Sequence, residues 1–561
     1  MKPRAISPFG WISAAALLAF DLWLVTLPPL DVPYLRELYF AGVASGREPL
    51  TWDFLTRPTL EHVMPLPMAV GALAVRATGL AGASRLLNVL LLALSAYALS
   101  RAAATLRGRP SPVDAAIPLM LLGPAHVFSF VSGFNLQLVL SGQLFSVAVA
   151  AAAVCAARFS KHWLAAGLAA LLGLPLCGVS GVLSAAFAAP ALAWVVWRHP
   201  GRRALRALPI VACAGLALFC FPFGRLAETH ERVVDPLRLA SELLPAALGA
   251  AGTRTFPLSA ALVVTAVALA LVLLARAGAR PVLVAIALGV AGQATLALAI
   301  GFGRSHYGNA LAFTERYVEL AVPWLVFAHL GLAGAEGERW AFRVQAGLGL
   351  AVAASVSANA GHAIGRVHEA EAGLRAFSGD ARAGLPLGAL VERHGEFLYP
   401  FDRGFLRASL STLMVEPLSP FDASPFGGML SLEAKTGPCA SDRVSWAKPS
   451  ASWSAFAHAP ERALDGHGAS EWRAPETRPA LFELALREPQ SLSRVCILLG
   501  AQRNAGSVLR LEAFSEGRMV AHAVASPVGD ALVVPLSAPR ADRVKLHLAA
   551  RMSLAELALA P

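Results

Sequence analysis

Asp31 follows an apolar run directly, and the loop it opens reads Asp31-Val-Pro-Tyr34-Leu-Arg36-Glu37. That loop continues through Gly46-Arg47-Glu48 and Trp52-Asp53 to Glu61-His62-Val-Met-Pro65-Leu-Pro67. An acid at the mouth of a helical bundle and a second acid–His pair at the far end of the same loop can face one cavity. A carboxylate there takes a proton from an attacking hydroxyl, anchors a cationic acceptor, or holds a metal. No cofactor is required by these residues, and a divalent cation on Asp31 and Glu61 is compatible with them. The same residue types also suit plainer roles, Asp31 capping the next helix and Glu61 facing solvent.

The elements that must position this loop are membrane-spanning. The chain has 561 residues, 56% hydrophobic and only 15% charged, against about 25% charged in an ordinary soluble chain. A span needs about 20 apolar residues to cross about 30 Å of hydrocarbon. Runs of that kind lie at 9–30, 84–104, 113–131, 136–157, 162–177, 179–197, 206–224, 257–276, 281–302, 316–334 and 342–363. The fold class expected is an all-α polytopic bundle of about eleven transmembrane helices over 1–365. A small mixed segment at 366–450 and a C-terminal β-sandwich at 451–561 follow.

The net charge of +11 comes from 47 Lys and Arg against 36 Asp and Glu. Its placement argues for topology rather than for nucleic acid. Arg101, Arg107 and Arg109, then Arg158 and Lys161, then Arg198, Arg202, Arg203 and Arg206, Arg276 and Arg280, and Arg339 and Arg343 fall at alternate connections. Lys2 and Arg4 then hold the N-terminus in the cytoplasm, and an odd number of spans puts the tail outside. Residues 63–82 are apolar but broken by Pro65, Pro67, Arg76 and Gly79; read as a crossing, they would invert every later loop, so an interfacial helix is expected. The outer side then carries the loops 31–62, 225–256 and 303–317. Short cytoplasmic loops without a Gly-rich phosphate loop leave no place for a nucleotide.

In the tail, alternating runs such as Ala480-Leu-Phe-Glu-Leu484 and Val544-Lys-Leu-His-Leu548 separated by turn residues predict strands of a sandwich. Cys155, Cys177, Cys213 and Cys220 read as packing residues of the spans. Cys439 and Cys496 lie in the exported tail, where a disulfide is permitted but not specified.

The order of one span, a loop opening with an acid and a Tyr, an acid/His-Pro element and an interfacial helix resembles the GT-C superfamily of polyprenyl-phosphate-sugar-dependent membrane glycosyltransferases. Asp31 matches the acid those loops carry after the first span, and Glu61-His62-Val-Met-Pro65-Leu is similar to their acid-x-His-Pro-Pro-Leu element. Asp31 is followed by Val rather than by a second acid, and the Pro-Pro is split, so acceptor class does not carry over. Gly133-Phe-Asn-Leu-Gln137, Gly303-Arg304 with Glu315-Arg316-Tyr317, and Leu398-Tyr-Pro400 with Leu418-Ser-Pro-Phe421 resemble elements of a bacterial branch of the superfamily. The resemblance implies an inverting transferase of the bacterial inner membrane, acting on a polyprenyl-phosphate sugar and a glycan, lipid or protein acceptor. It implies Asp31 as general base, with Glu61 and His62 on the acceptor side. Tyr34, Gln137, Arg304, His306, Arg316 and Tyr317 become substrate-binding candidates, the last four for the donor phosphate. Arg225, His230 and Arg232 are secondary candidates. Arg316 and Tyr317 also suit simple anchoring at the membrane interface. Asp21, inside the first span, is given no role.

Ala463-Leu-Asp-Gly466, Ser470-Glu-Trp472, Phe482-Glu-Leu484 and Leu554-Ala-Glu-Leu557 resemble a discoidin-type, galactose-binding-like domain. That implies glycan contacts at loop residues, with Trp453, Trp472, Arg473 and Arg503 as candidates, although Trp453 and Trp472 fit a core role as well. Two rival functions remain. A transporter of lipid-linked glycans needs polar residues threaded through the spans, and few are read there. A non-catalytic glycan-binding membrane protein would make the sandwich its working part.

Overall fold

The computed structural model describes residues 6–44, 49–57, 63–198, 203–220, 234–304, 315–335, 337–383, 385, 387–400, 403–415, 446–451, 472–473, 480–499, 509–525, 531–548 and 553–560. Among these, nine helices are long and apolar enough to cross a membrane, beginning with Pro8–Thr26 and ending with Arg339–Arg382. Two shorter apolar helices, Lys161–Cys177 and Leu208–Ala217, fall on the remaining two expected runs. The interrupted segment forms a helix of 14 residues, Pro65–Thr78, ended by Gly79 at φ +70°. At 1.5 Å per residue it is about 21 Å long, short of the hydrocarbon thickness. Contacts divide the chain into two compact units: Met1–Leu30 with Pro49–Ala372, and Asp31–Glu48 with Gly373–Pro561.

In the first unit, helices approach closely where side chains are absent. A Cβ on Gly142 would stand 2.2 Å from the carbonyl oxygen of Glu319, so only glycine lets the helix Leu136–Ala157 lie against that turn. The end of the first span is fixed as well. Gly82 N–H donates to the Leu30 carbonyl at 2.6 Å, and the buried Arg85 guanidinium donates to the Pro29 carbonyl at 3.3 Å. A buried polar centre ties four elements together. Arg107 donates to Asp114 at 2.7 Å and to the Gln345 side-chain oxygen at 2.9 Å, while His329 Nε2 lies 3.2 Å from the other Asp114 oxygen. Every ionised group in that centre has an opposite charge or a donor, as a low-dielectric interior requires.

In the second unit, the stretch 31–44 packs on helices that follow the last span. The 44-residue helix Arg339–Arg382 is about 66 Å long and runs well beyond the 342–363 stretch read as a span. Its continuation, expected only as mixed structure, is specified by Val367, Ala370, Leu374, Phe377 and Ala381, all buried at alternating spacings of three and four. The pairs Arg366–Glu369 and His368–Glu371 line its polar side. Leu374, Phe377 and Ala381 join Leu390, Val391 and Leu398 of helix Leu387–Leu398, and Leu406, Leu410 and Leu413 of helix Arg403–Val415. Val32, Leu38 and Ala41 complete that core.

The C-terminal strands form one antiparallel sheet: β1 (Trp446–Ala451), β2 (Trp472–Arg473), β3 (Ala480–Leu499), β4 (Leu509–Ser515), β5 (Arg518–Ala525), β6 (Ala531–Leu548) and β7 (Ser553–Ala560). Their order is β2-β7-β3-β6-β4-β5, with β1 also on β3. The long β3–β6 pair slips register between 485 and 494, and the buried positions on β3 pass from Phe482, Leu484 and Leu486 to Val495 and Ile497. These irregularities bend a long pair so that both halves feed one core, which also takes Leu509, Leu511, Val534, Val544 and Leu546. On β4, burial disfavours ionised Glu512, but the His547 hydrogen bond and the Arg510 charge outweigh it, holding the carboxyl below its usual 4.5.

Asp114→Ala leaves the buried Arg107 guanidinium without its counter-charge and is expected to destabilise by about 3–5 kcal/mol. Thermal unfolding of the purified full-length variant checks this; an unchanged midpoint would refute the role given to that centre. Because the folded Glu512 carboxyl titrates below 4.5, its contribution is complete above about pH 4.5 and fades as pH falls through the folded value. Glu512→Gln is therefore expected to flatten the acid-side loss of sheet stability, measured by melting the full chain at stepped pH.

Candidate functional site

Asp31 lies on the outer surface of the second unit, about one-third exposed, with Arg382 Nη2 at 3.6 Å. The residues after it are held firmly. Tyr34 N–H donates to the buried Glu37 carboxylate at 2.9 Å, and Leu35 takes φ +52°, a conformation rare for a branched side chain and seen where a loop is fixed from both sides. The Tyr34 ring packs on Phe397 with centroids 5.0 Å apart. Phe405 sits against both Tyr39 at 4.5 Å and Tyr399 at 5.0 Å. Asp380 braces this scaffold, accepting from Arg393 at 2.9 Å and pairing with His394 Nε2 at 2.8 Å. A carboxylate on an aromatic-backed loop over three helices is a suitable place for a general base or an acceptor contact.

A second group belongs to the first unit. Arg304 is the last residue of helix Arg280–Arg304, and Glu315, Arg316 and Tyr317 form one 3-10 turn. Glu315 is engaged by His362 Nε2 and by Arg366 at 3.6 Å, and Arg254 reaches His362 Nδ1 at 3.5 Å. Arg316 is different. Its guanidinium donates to the Tyr317 hydroxyl at 2.7 Å and stacks 4.7 Å over that ring, but Nε has no hydrogen-bond partner and no carboxylate pairs with it among the described residues. Tyr317 itself is buried among Ala240, Leu243, Leu296, Ala297 and Leu320. Gln137, also buried, is the second residue of its helix.

The structure thus brings Arg316 and Tyr317 together in the first unit and holds Asp31 and Tyr34 in the second. Glu61, His62, His306, Arg225, His230, Arg232, Trp453, Arg503 and Cys439 lie outside the described residues. Trp472 and Arg473 form β2, opposite Leu554 and Ser553 of β7. Asp31 is the only one of the two suggested cation ligands within the described residues, and no three His, Cys, Asp or Glu side chains there stand close enough to hold a metal.

Sequence reasoning missed Arg254, His362, Arg366 and Arg382, whose chain separation hides their proximity to Glu315 and Asp31. It also read too few polar residues inside the spans. Asp21, Asn88, His126, Ser129, Asn135, Gln143, Gln293 and Glu319 are all buried there. Ser129 donates to Glu319 Oε1, Asn135 donates to Ser129 Oγ, and Asn88 donates to the Ser129 carbonyl at 2.9 Å. A carboxylate such as Glu319 within an apolar run was the available signal.

No family model matches this chain, and no curated protein matches it. Solved structures match the part of the chain that includes the sheet. They include a Streptococcus pneumoniae fucose binding module, with TM-score 0.20 and 19% identity, covering 21% of this chain and 94% of that one. The lectin domain of lectinolysin complexed with Lewis B antigen gives TM-score 0.19 and 22% identity, over 20% of this chain and 90% of that one. Chitosan-binding module 1 from a Paenibacillus sp. IK-5 chitosanase/glucanase gives TM-score 0.19 and 19% identity, over 21% of this chain and 97% of that one.

Phe405→Ala removes the ring wedged between Tyr39 and Tyr399. Limited proteolysis is expected to cut the 31–48 stretch faster in this variant, with stability lower by about 1–3 kcal/mol. An unchanged cleavage rate would show that the aromatic group does not hold the loop.

Proposed function

We propose that this protein is an integral membrane glycosyltransferase of GT-C type in a bacterial inner membrane, with its working loops and C-terminal sheet on the outer face. It moves a sugar from a polyprenyl-phosphate carrier to a hydroxyl acceptor. The observation that carries this reading is Arg316, a partly buried guanidinium at the end of a span, with no carboxylate pairing it among the described residues. A cation at that depth suits an anion whose lipid chain remains in the hydrocarbon. Asp31, on its fixed loop, is the proposed base. The acceptor oxygen forms a bond to the anomeric carbon from the face opposite the phosphate and loses its proton to Asp31. The bond from that carbon to the phosphate oxygen breaks, and the departing oxygen keeps the electron pair. Arg316, with Arg304, stabilises the charge that develops there. The discoidin-like motifs of the tail support a glycan-binding role for the sheet.

A second reading, a transporter of lipid-linked glycans, is favoured by the polar side chains buried inside the spans. It predicts movement of the intact lipid-linked sugar across a vesicle membrane with no new glycosidic bond.

Purified protein and a panel of radiolabelled polyprenyl-phosphate sugars separate these. Asp31→Asn is expected to lower kcat by about 10²- to 10⁴-fold, and Arg316→Ala to act chiefly on KM for the donor. Equal turnover in wild type and Asp31→Asn would remove Asp31 as base; intact donor crossing the membrane with no labelled product would favour the transporter.

A further inference from the structure

The polar centre around Glu319 takes no part in the reaction above, and its hydrogen bonds impose a proton count. His126 is fully buried, with Nε2 2.7 Å from the Met120 carbonyl and Nδ1 2.9 Å from Glu319 Oε1. A carbonyl oxygen only accepts, so Nε2 carries a hydrogen. The contact between Nδ1 and Oε1 then needs a hydrogen of its own, because two lone pairs would repel. Imidazolium with carboxylate satisfies it, and so does imidazole with carboxylic acid; each places one proton between the two groups. Glu319 Oε2 has no partner among the described residues.

Asp21 adds to this. It is fully buried in helix Pro8–Thr26, neither carboxyl oxygen has a hydrogen-bond partner among the described residues, and its helix packs on Val127–Val131, which carries Ser129, a donor to Glu319. An ionised carboxylate without donors in the interior of a membrane-spanning bundle is strongly disfavoured. A bound proton removes that cost.

We propose that Asp21, Glu319 and His126 form a proton-binding site within the membrane-spanning bundle, holding two protons when neutral: one on Asp21 and one shared by His126 and Glu319. The ligand is a proton rather than a metal ion. Three unpartnered oxygens, Oδ1 and Oδ2 of Asp21 and Oε2 of Glu319, fall short of the six or more that hard divalent cations take, and both His126 nitrogens are engaged.

The surrounding charges do not replace the protons. Among elements packed on the Asp21 helix, Ala83–Arg107 carries Arg85, Tyr97, Arg101 and Arg107, and Pro112–Ala115 carries Asp114, while Ala116–Leu121 and Val127–Val131 carry no titratable group. Arg107 is committed to Asp114, Arg101 to Tyr97, and Arg85 to the Pro29 carbonyl. Around Glu319, the turn 315–317 brings Glu315, Arg316 and Tyr317, helix Pro323–Gly334 brings His329, and the 124–126 turn brings His126. Glu315 is held by His362 and Arg366, and His329 by Asp114. Proton uptake at this site is independent of the glycosyltransferase reading and equally open to a transporter.

Infrared spectroscopy of the full-length protein in lipid nanodiscs tests the proposal. Wild type at neutral pH is expected to show a protonated-carboxyl C=O band, shifted in D2O, that Asp21→Asn removes. Coincident carboxyl regions for the two proteins across about pH 5 to 9 would overturn it. If Asp21→Asn does not accumulate, wild type treated with dicyclohexylcarbodiimide, which modifies protonated carboxyls in apolar surroundings, decides. An adduct on Asp21 is expected, and an unmodified Asp21 peptide beside modified exposed carboxyls would overturn the proposal.

Discussion

In hydrocarbon, an ionisable side chain has only the protein to answer it, and the helical unit is organised around two answers to that constraint. In one, Asp114 is balanced by Arg107, with His329 and Gln345 filling the remaining valences. The other contains Asp21, Glu319 and His126 with hydroxyl and amide donors, and neither Arg nor Lys pairs with either carboxylate among the described residues. The first centre is closed by an opposite charge that cannot leave. The second is closed by protons, which can. One therefore reads as an anchor between helices, and the other as a place where the bundle responds to its surroundings.

The same logic explains the glycine at 142. Glu319 must be delivered to His126 and Ser129 by a short turn, and that turn presses its backbone against the neighbouring helix. A Cβ at 142 would force that backbone away, and the carboxylate could not then reach its donors while the turn stayed packed. Position 142 and the polar centre are one design, although only the carboxylate carries chemistry.

The apolar runs were legible because membrane crossing demands length and hydrophobicity, and both are local properties of sequence. The continuation of the last helix to Arg382 was not read: the spacing of Val367, Ala370, Leu374, Phe377 and Ala381 carries it, but the charged residues between them hide the pattern from a hydropathy reading. The sheet announced itself through alternation, while the slips between 485 and 494 left no mark beyond the change in which positions alternate. The candidate site was legible only in part. Asp31 and Arg316 stand out by position relative to the spans. Arg382 beside Asp31, and His362 and Arg366 beside Glu315, depend on long-range packing that no local spacing encodes.

That packing also bears on how Asp31 and Glu315 differ. Both are acids close to an apolar run, and residue type alone gives either an equal claim to accept a proton. Glu315 is nearly buried and held by two partners, His362 and Arg366, so taking a proton from a substrate would mean breaking an established pair. Asp31 is about one-third exposed, with Arg382 3.6 Å away, and lies on a loop whose neighbours Tyr34 and Glu37 are fixed. A base must be both accessible and placed, and of these two acids Asp31 meets both conditions. Glu315 instead orients the turn that carries Arg316, leaving that guanidinium clear of the one carboxylate adjacent to it in sequence.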